Sequence, residues 1–131
     1  MIGIVIVAHG GLAEEYRRAV EHVIGPQDGL RAISVAATCD REGKEQEICA
    51  AADAVDTGDG VVVVTDIFGG SPSNLSMCAC APKDRAIFYG ANLPALIKLA
   101  RSRRKPLAEA LTLAKDAGTR YMDVARWPSS G

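Results

Sequence analysis

Val61-Val62-Val63-Val64-Thr65-Asp66 is the strongest strand signal in the chain. Its apolar residues run without alternation, so both faces of the strand must be covered, as in a parallel sheet flanked by helices. Gly58-Asp59-Gly60 turns the chain ahead of it, and Gly69-Gly70-Ser71-Pro72 breaks it behind. Ile2 to Ala8 is a second run of the same kind and ends in His9-Gly10-Gly11. Leu30 to Ala37 and Ala86-Ile87-Phe88-Tyr89 read as two further strands.

Helical patterns fill the gaps. Leu12, Tyr16, Ala19, Val20, Val23 and Ile24 recur at helical spacing, with Glu14 and Glu15 in the first turn, where they suit the positive end of the dipole. Gly25-Pro26 stops that helix. Glu42 to Val55 reads as a second helix, with Ile48, Ala51, Ala52 and Val55 on one face. A third is expected from Pro72, well suited to a first helical position, to about Ala81. Leu93, Leu96, Ile97 and Ala100 mark a fourth. Pro106 to Ala117 marks a fifth, closed by Gly118. Tyr121 to Ala125 is compatible with a short antiparallel terminal strand, and Trp127 to Gly131 with a loose tail.

Strands and helices therefore alternate. The fold expected is α/β, a three-layer α/β/α arrangement around a mostly parallel sheet. The two most apolar strands, the first and third, belong at its centre, which gives the order 2-1-3-4. No linker or repeat divides the chain, so residues 1–126 form one domain and 127–131 its tail. At 131 residues the length suits one domain, and 48% hydrophobic residues supply a core, which excludes disorder. With 15 Lys+Arg against 16 Asp+Glu, no basic field exists to hold a nucleic acid. The apolar runs fall far short of the roughly 20 residues that span a bilayer, so no membrane insertion is expected. The start lacks a basic leader segment, and a cytoplasmic location is the default expectation.

Cys39, Cys49, Cys78 and Cys80 do not show zinc-knuckle spacing, and they read as reduced packing residues. Lys98, Arg101, Arg103, Arg104 and Lys105 gather at a predicted helix end, where cations offset the dipole; a docking patch is the competing reading. His22 lies off the apolar stripe of its helix and is expected to be solvated and silent.

In such sheets the ligand crevice lies at the carboxyl ends of the strands beside the switch point, here the first and third. The first ends in His9 and the third in Asp66, followed by Gly69, Gly70 and Ser71. Adjacent strands are about 4.8 Å apart, so the imidazole and the carboxylate can meet. A carboxylate bonded to one ring nitrogen fixes the tautomer and leaves the other nitrogen with a free lone pair. Glycines let backbone N–H groups approach a ligand, and the loop opens onto a helix N-terminus that favours anions. His9-Gly10-Gly11 opens onto another. This pattern points to an imidazole that accepts a phosphoryl group, with no metal and no cofactor. A Ser71-His9-Asp66 hydrolase is disfavoured, because no G-x-S-x-G elbow exists and Pro72 follows the serine.

Three segments carry a family resemblance: Ile4-Val5-Ile6-Val7-Ala8-His9-Gly10, Thr65-Asp66-Ile67-Phe68-Gly69-Gly70-Ser71-Pro72-Ser73-Asn74 and Gly90-Ala91-Asn92-Leu93-Pro94. From Ile2 to about Gly118 the chain resembles the mannose-family IIA component of the bacterial phosphoenolpyruvate-dependent sugar phosphotransferase system. The resemblance implies that His9 takes a phosphoryl group from the phosphocarrier HPr and passes it to a IIB component. It implies that Asp66 holds the imidazole, and that Ser71 and the neighbouring amides of Gly69 and Gly70 bind phosphoryl oxygens. It also implies a homodimer in which the terminal strand is exchanged. Ala36 to Gly43 departs from the family by lacking a proline-glycine pattern after the second strand, and Phe68 stands where tryptophan is common. A regulatory phosphorelay that transports no sugar is the alternative reading, with the same chemistry at His9.

Overall fold

The computed structural model describes residues 1–67, 69–80 and 84–127. The strands are β1 (Gly3–His9), β2 (Leu30–Val35), β3 (Val61–Thr65) and β4 (Arg85–Phe88), in the order β2-β1-β3-β4. All neighbouring pairs are parallel. The helices are α1 (Leu12–Ile24), α2 (Arg41–Val55), α3 (Ser71–Ser76), α4 (Leu93–Arg101) and α5 (Leu107–Arg120). The expected order and layering are therefore present. Among the described residues, no helix is long and apolar enough to cross a membrane.

Strand alternation divides the core in two. Ile2, Ile4, Ile6, Ala8, Val62 and Val64 face one side and pack with Val20 of α1, Leu96 and Leu99 of α4, and Ala110 and Ala114 of α5. Val5, Val7, Val61 and Val63 face the other side, against Ile48, Ala52 and Val55 of α2 and Leu75 of α3. Every residue of β3 is buried. Full burial of a Val or Ile side chain contributes roughly 1.5–3 kcal/mol, so β1 and β3 anchor the domain.

Four details depart from the sequence expectation. First, the third helix ends at Ser76, and Cys78–Cys80 form a separate 3-10 turn. The Ser76 hydroxyl donates to the Pro72 carbonyl at 2.6 Å, a back-bond that competes with the helical ladder. Second, Gly118 does not close the last helix, which runs on to Arg120. A Cβ at Gly118 would lie 2.9 Å from that of Ala95, so the glycine lets α5 seat on α4. Asn92 fastens this contact, because its side chain caps α4 by accepting from Ala95 N–H (3.0 Å) and donates to the Gly118 carbonyl (2.8 Å).

Third, Arg103 does not belong to a surface patch. It is buried, and its guanidinium donates to the carbonyls of Ile2 (2.7 Å) and Gly29 (2.9 Å). Arg101 and Arg104 remain exposed. Fourth, residues 122–126 form no strand. A strand needs a partner for its N–H and C=O groups, and among the described residues none pairs with this segment. Its large apolar side chains are exposed, from Tyr121 to Trp127 at 81%. The expected end of the third helix at Ala81, Phe68, and tail residues 128–131 lie outside the described residues.

Candidate functional site

β1 and β3 end at one edge of the sheet. Their ladder closes at Val7 opposite Thr65, so His9 and Asp66 emerge side by side. The Asp66 carboxylate receives three hydrogen bonds. Oδ2 takes the His9 ring at Nδ1 (2.8 Å) and the His9 backbone N–H (3.1 Å), and Oδ1 takes Ile67 N–H (3.0 Å). Burial alone would raise the Asp66 pKa, but the bonds from His9 outweigh it and hold the carboxyl below its usual value. An ionised carboxylate only accepts hydrogen bonds, so Nδ1 carries the proton and Nε2 keeps its lone pair. The His9 side chain is 48% exposed and that of Asp66 11%, which makes one a presented group and the other its support.

The glycine loop sits against this ring. A Cβ at Gly70 would lie 3.1 Å from His9 Cε1, so this position must lack a side chain for the imidazole to keep its place. Gly69 is exposed and turns the chain with a positive φ of 83°. Ser71 opens α3 and shares a cleft of about 560 Å³ with His9, Gly10, Cys39 and Arg41. Both α1 and α3 start at this edge, from Gly11 and Gly70 as N-caps, and neither N-cap closes its helix with a side chain. The first-turn N–H groups of a helix lack intrahelical acceptors, so they are left for water or an anion. With only six residues, α3 offers local donors rather than a long dipole. The structure thus brings His9, Asp66, Gly70 and Ser71 together.

Several neighbours escaped the sequence reading. Tyr16, read only as core, donates its hydroxyl to the Ala91 carbonyl at 3.2 Å. Its pKa is raised by burial and then by the charge of Asp66. Ala91 in turn donates its N–H to the Thr65 carbonyl (3.1 Å), so the Gly90-Ala91-Asn92 motif braces the end of β3. Leu12 and Ile67 are exposed apolar residues that flank the His9-Asp66 pair in sequence. Leu12 falls in the apolar helical pattern, which assigns it to a core.

The other candidates lie elsewhere. His22 is exposed on α1. The cysteines are free: Cys39, Cys49 and Cys80 are half-buried and Cys78 is exposed. Burial pushes the Cys80 thiol up to about 11, which suits a packing residue. Among the described residues, no cluster of His, Cys, Asp and Glu is placed to hold a metal ion.

With this geometry in view, residues 3–114 match the family model described as PTS system fructose IIA component (EIIA-man). The PTS system mannose-specific EIIAB component of Escherichia coli (strain K12) is 29% identical over 120 residues, covering 89% of this chain and 37% of that protein. The chain thus spans little more than a third of the curated relatives it matches. A PTS IIA protein associated with the fucose utilization operon of Streptococcus pneumoniae is 25% identical, with a TM-score of 0.77 over 88% of this chain and 89% of that one. The mannose/sorbose specific IIA subunit of Enterococcus faecalis shares the fold at 21% identity, with a TM-score of 0.85 over 97% and 96% of the two chains.

Proposed function

The chain belongs to the PTS system fructose IIA component family, and from that premise we propose that it is a phosphohistidine carrier of a sugar phosphotransferase system, with His9 as the acceptor. The observation that carries this reading is the 2.8 Å contact between His9 Nδ1 and Asp66 Oδ2, which leaves Nε2 free at the cleft. The Nε2 lone pair attacks phosphorus on the phosphoimidazole of a donor protein. The new P–N bond forms as the donor's P–N bond breaks, and that electron pair returns to the donor's ring nitrogen. No proton need cross. The proton on Nδ1 stays in place, and Asp66 balances the positive charge on the phosphorylated ring. Gly69, Gly70 and Ser71 lend N–H and O–H donors to the phosphoryl oxygens.

The donor is HPr and the acceptor a IIB component. The exposed Leu12 and Ile67 beside the pair support protein partners, because apolar side chains around a reactive group suit a docking face better than a small polar substrate. The protein works as a homodimer. Among the described residues β4 pairs only with β3, a groove lined by Ile87, Phe88 and Met122 lies beside it, and Tyr121, Met122, Val124 and Trp127 are exposed. The terminal strand of a second copy fits this free edge.

Incubation with phosphoenolpyruvate, Enzyme I and HPr tests the assignment. Acid-labile, base-stable phosphate is expected on the wild-type protein and on His22→Ala, and none on His9→Ala. Labelling that survives the His9 change overturns it. Sedimentation of the full chain against a version ending at Arg120 tests the dimer, with a monomeric full chain as the contrary result.

A further inference from the structure

Arg41 is the first residue of α2 and shares the cleft of about 560 Å³ with His9 and Ser71. Its position makes no sense for the helix. A cation in the first turn opposes the dipole, whereas the neighbours Asp40 and Glu42 suit it. Its side chain is exposed and, among the described residues, forms no ion pair that would offset this cost. Of the described residues lining that cleft, Arg41 carries the only fixed charge. The other fixed charge beside His9 is Asp66, an anion. A phosphoryl group on Nε2 brings up to two negative charges into this space, and Asp66 repels them. β2 lies on the opposite side of β1 from β3, and Ala36, Ala37 and Cys39 after it line the same cleft, so Arg41 comes to the site from the side of His9 away from the Asp66 strand. The planar fork of an arginine matches the oxygens of a phosphoryl group.

We infer that Arg41 is a phosphoryl-binding residue of this site, contacting the transferred group once it is on His9. The inference rests on the phosphohistidine reading above. Its test separates the two by loading the protein from two sources: HPr with phosphoenolpyruvate and Enzyme I, and potassium phosphoramidate. In the latter reaction the His9 Nε2–P bond forms as the donor P–N bond breaks, and ammonia leaves with the electron pair. Loading rate and the 31P titration of the phosphohistidine are measured for wild type, Arg41→Ala and Arg41→Lys.

The expected result is a loading rate about tenfold lower in Arg41→Ala from both donors, with partial recovery in Arg41→Lys. The titration of the phosphoryl oxygens should also move to higher pH in Arg41→Ala, because a nearby cation favours the dianion. A purely structural role would leave that titration unmoved. Normal loading and titration in Arg41→Ala overturn the inference and leave the His9 reading standing. Slower loading from HPr alone, with phosphoramidate and titration unchanged, also overturns it and assigns Arg41 to partner docking. Absence of label on wild-type His9 from either source removes the premise itself.

Discussion

β1 and β3 lie side by side, yet their two ends follow opposite rules. At the amino end the backbone N–H groups that start β1 are matched. Ile2 N–H meets the Arg103 carbonyl at 2.9 Å, Gly3 N–H meets Gly60 at 3.0 Å, and Ile4 N–H meets Gly29 at 3.0 Å. The buried Arg103 guanidinium then satisfies the carbonyls of Ile2 and Gly29. At the carboxyl end the helices start from glycines without side-chain caps, and a half-exposed imidazole stands over them. One end spends its hydrogen bonds on the fold, and the other keeps donors and a lone pair in reserve. Stability and chemistry are thus placed at opposite edges of the same two strands.

Two substitutions, one at each end, should have crossed outcomes. His9→Ala should abolish phosphoryl acceptance while changing stability by less than about 1 kcal/mol, since the side chain is half exposed. Arg103→Ala should cost about 2–4 kcal/mol, because the buried Ile2 carbonyl loses the guanidinium donor, the Gly29 carbonyl keeps only Ile4 N–H, and a buried side chain is removed. In thermal unfolding that is a fall in Tm of about 10 °C. Below its transition, Arg103→Ala should accept phosphate at the wild-type rate. A loss of transfer in the folded Arg103 variant, or a large loss of stability in the His9 variant, would show that the two ends are not separable.

Asp66→Asn tests the support of the imidazole. The amide cannot fix the Nδ1–H tautomer as an anion does, and transfer should slow by about 100-fold with the fold retained. An unchanged rate would reduce Asp66 to a loop-bracing residue through its bond to Ile67 N–H. Gly70→Ala should act more mildly. The added methyl meets His9 Cε1 at 3.1 Å and the Ile67 side chain at 3.2 Å, so the ring must shift from Asp66. Transfer is expected to fall about tenfold, at a stability cost of about 1 kcal/mol.

The smallest effect concerns pH. The folded pKa of Asp66 lies below 3.8, with burial opposed by the His9 bonds, and that of Asp56 lies below 3.8 through the Gly58 N–H and then Arg85. A carboxyl whose folded pKa is depressed stabilises the fold above its unfolded value and loses that contribution as pH falls through the folded value. The urea midpoint should therefore not decline through these groups between pH 7 and 5, and should decline below pH 3.8. Asp56→Asn should shallow that decline. A decline already under way at pH 6 would point to a different titrating group.

Much of this arrangement was legible from sequence for a simple reason. Strands buried on both faces lose alternation, so Ile2 to Ala8 and Val61 to Thr65 mark themselves as the sheet centre. The switch point follows from that order, and His9 and Asp66 follow from the switch point. What stayed hidden depends on partners distant in sequence. The burial of Arg103 rests on carbonyls at Ile2 and Gly29, and a run of basic residues gives no sign of them. Gly118 resembles a helix terminator until α4 is seen passing 2.9 Å from where its Cβ would be. The break after Ser76 arises from one hydroxyl choosing a backbone carbonyl. The segment from Tyr121 to Ala125 has strand-like residues, but it forms no strand, and among the described residues no strand pairs with it. Tyr16 sits on a helix whose pattern assigns it to the core, and Arg41, which lines the cleft, falls ahead of the helix that begins at Glu42 in the sequence pattern.

In the proposed carrier, His9, oriented by Asp66 through Nδ1, takes phosphate on Nε2. Heteronuclear 31P–15N correlation on the 15N-labelled, phosphorylated protein reads this directly. One phosphohistidine signal is expected, coupled to Nε2 of His9, with Nδ1 protonated, and none in His9→Ala. Phosphorus coupled to Nδ1, or bound to any other residue, would contradict it.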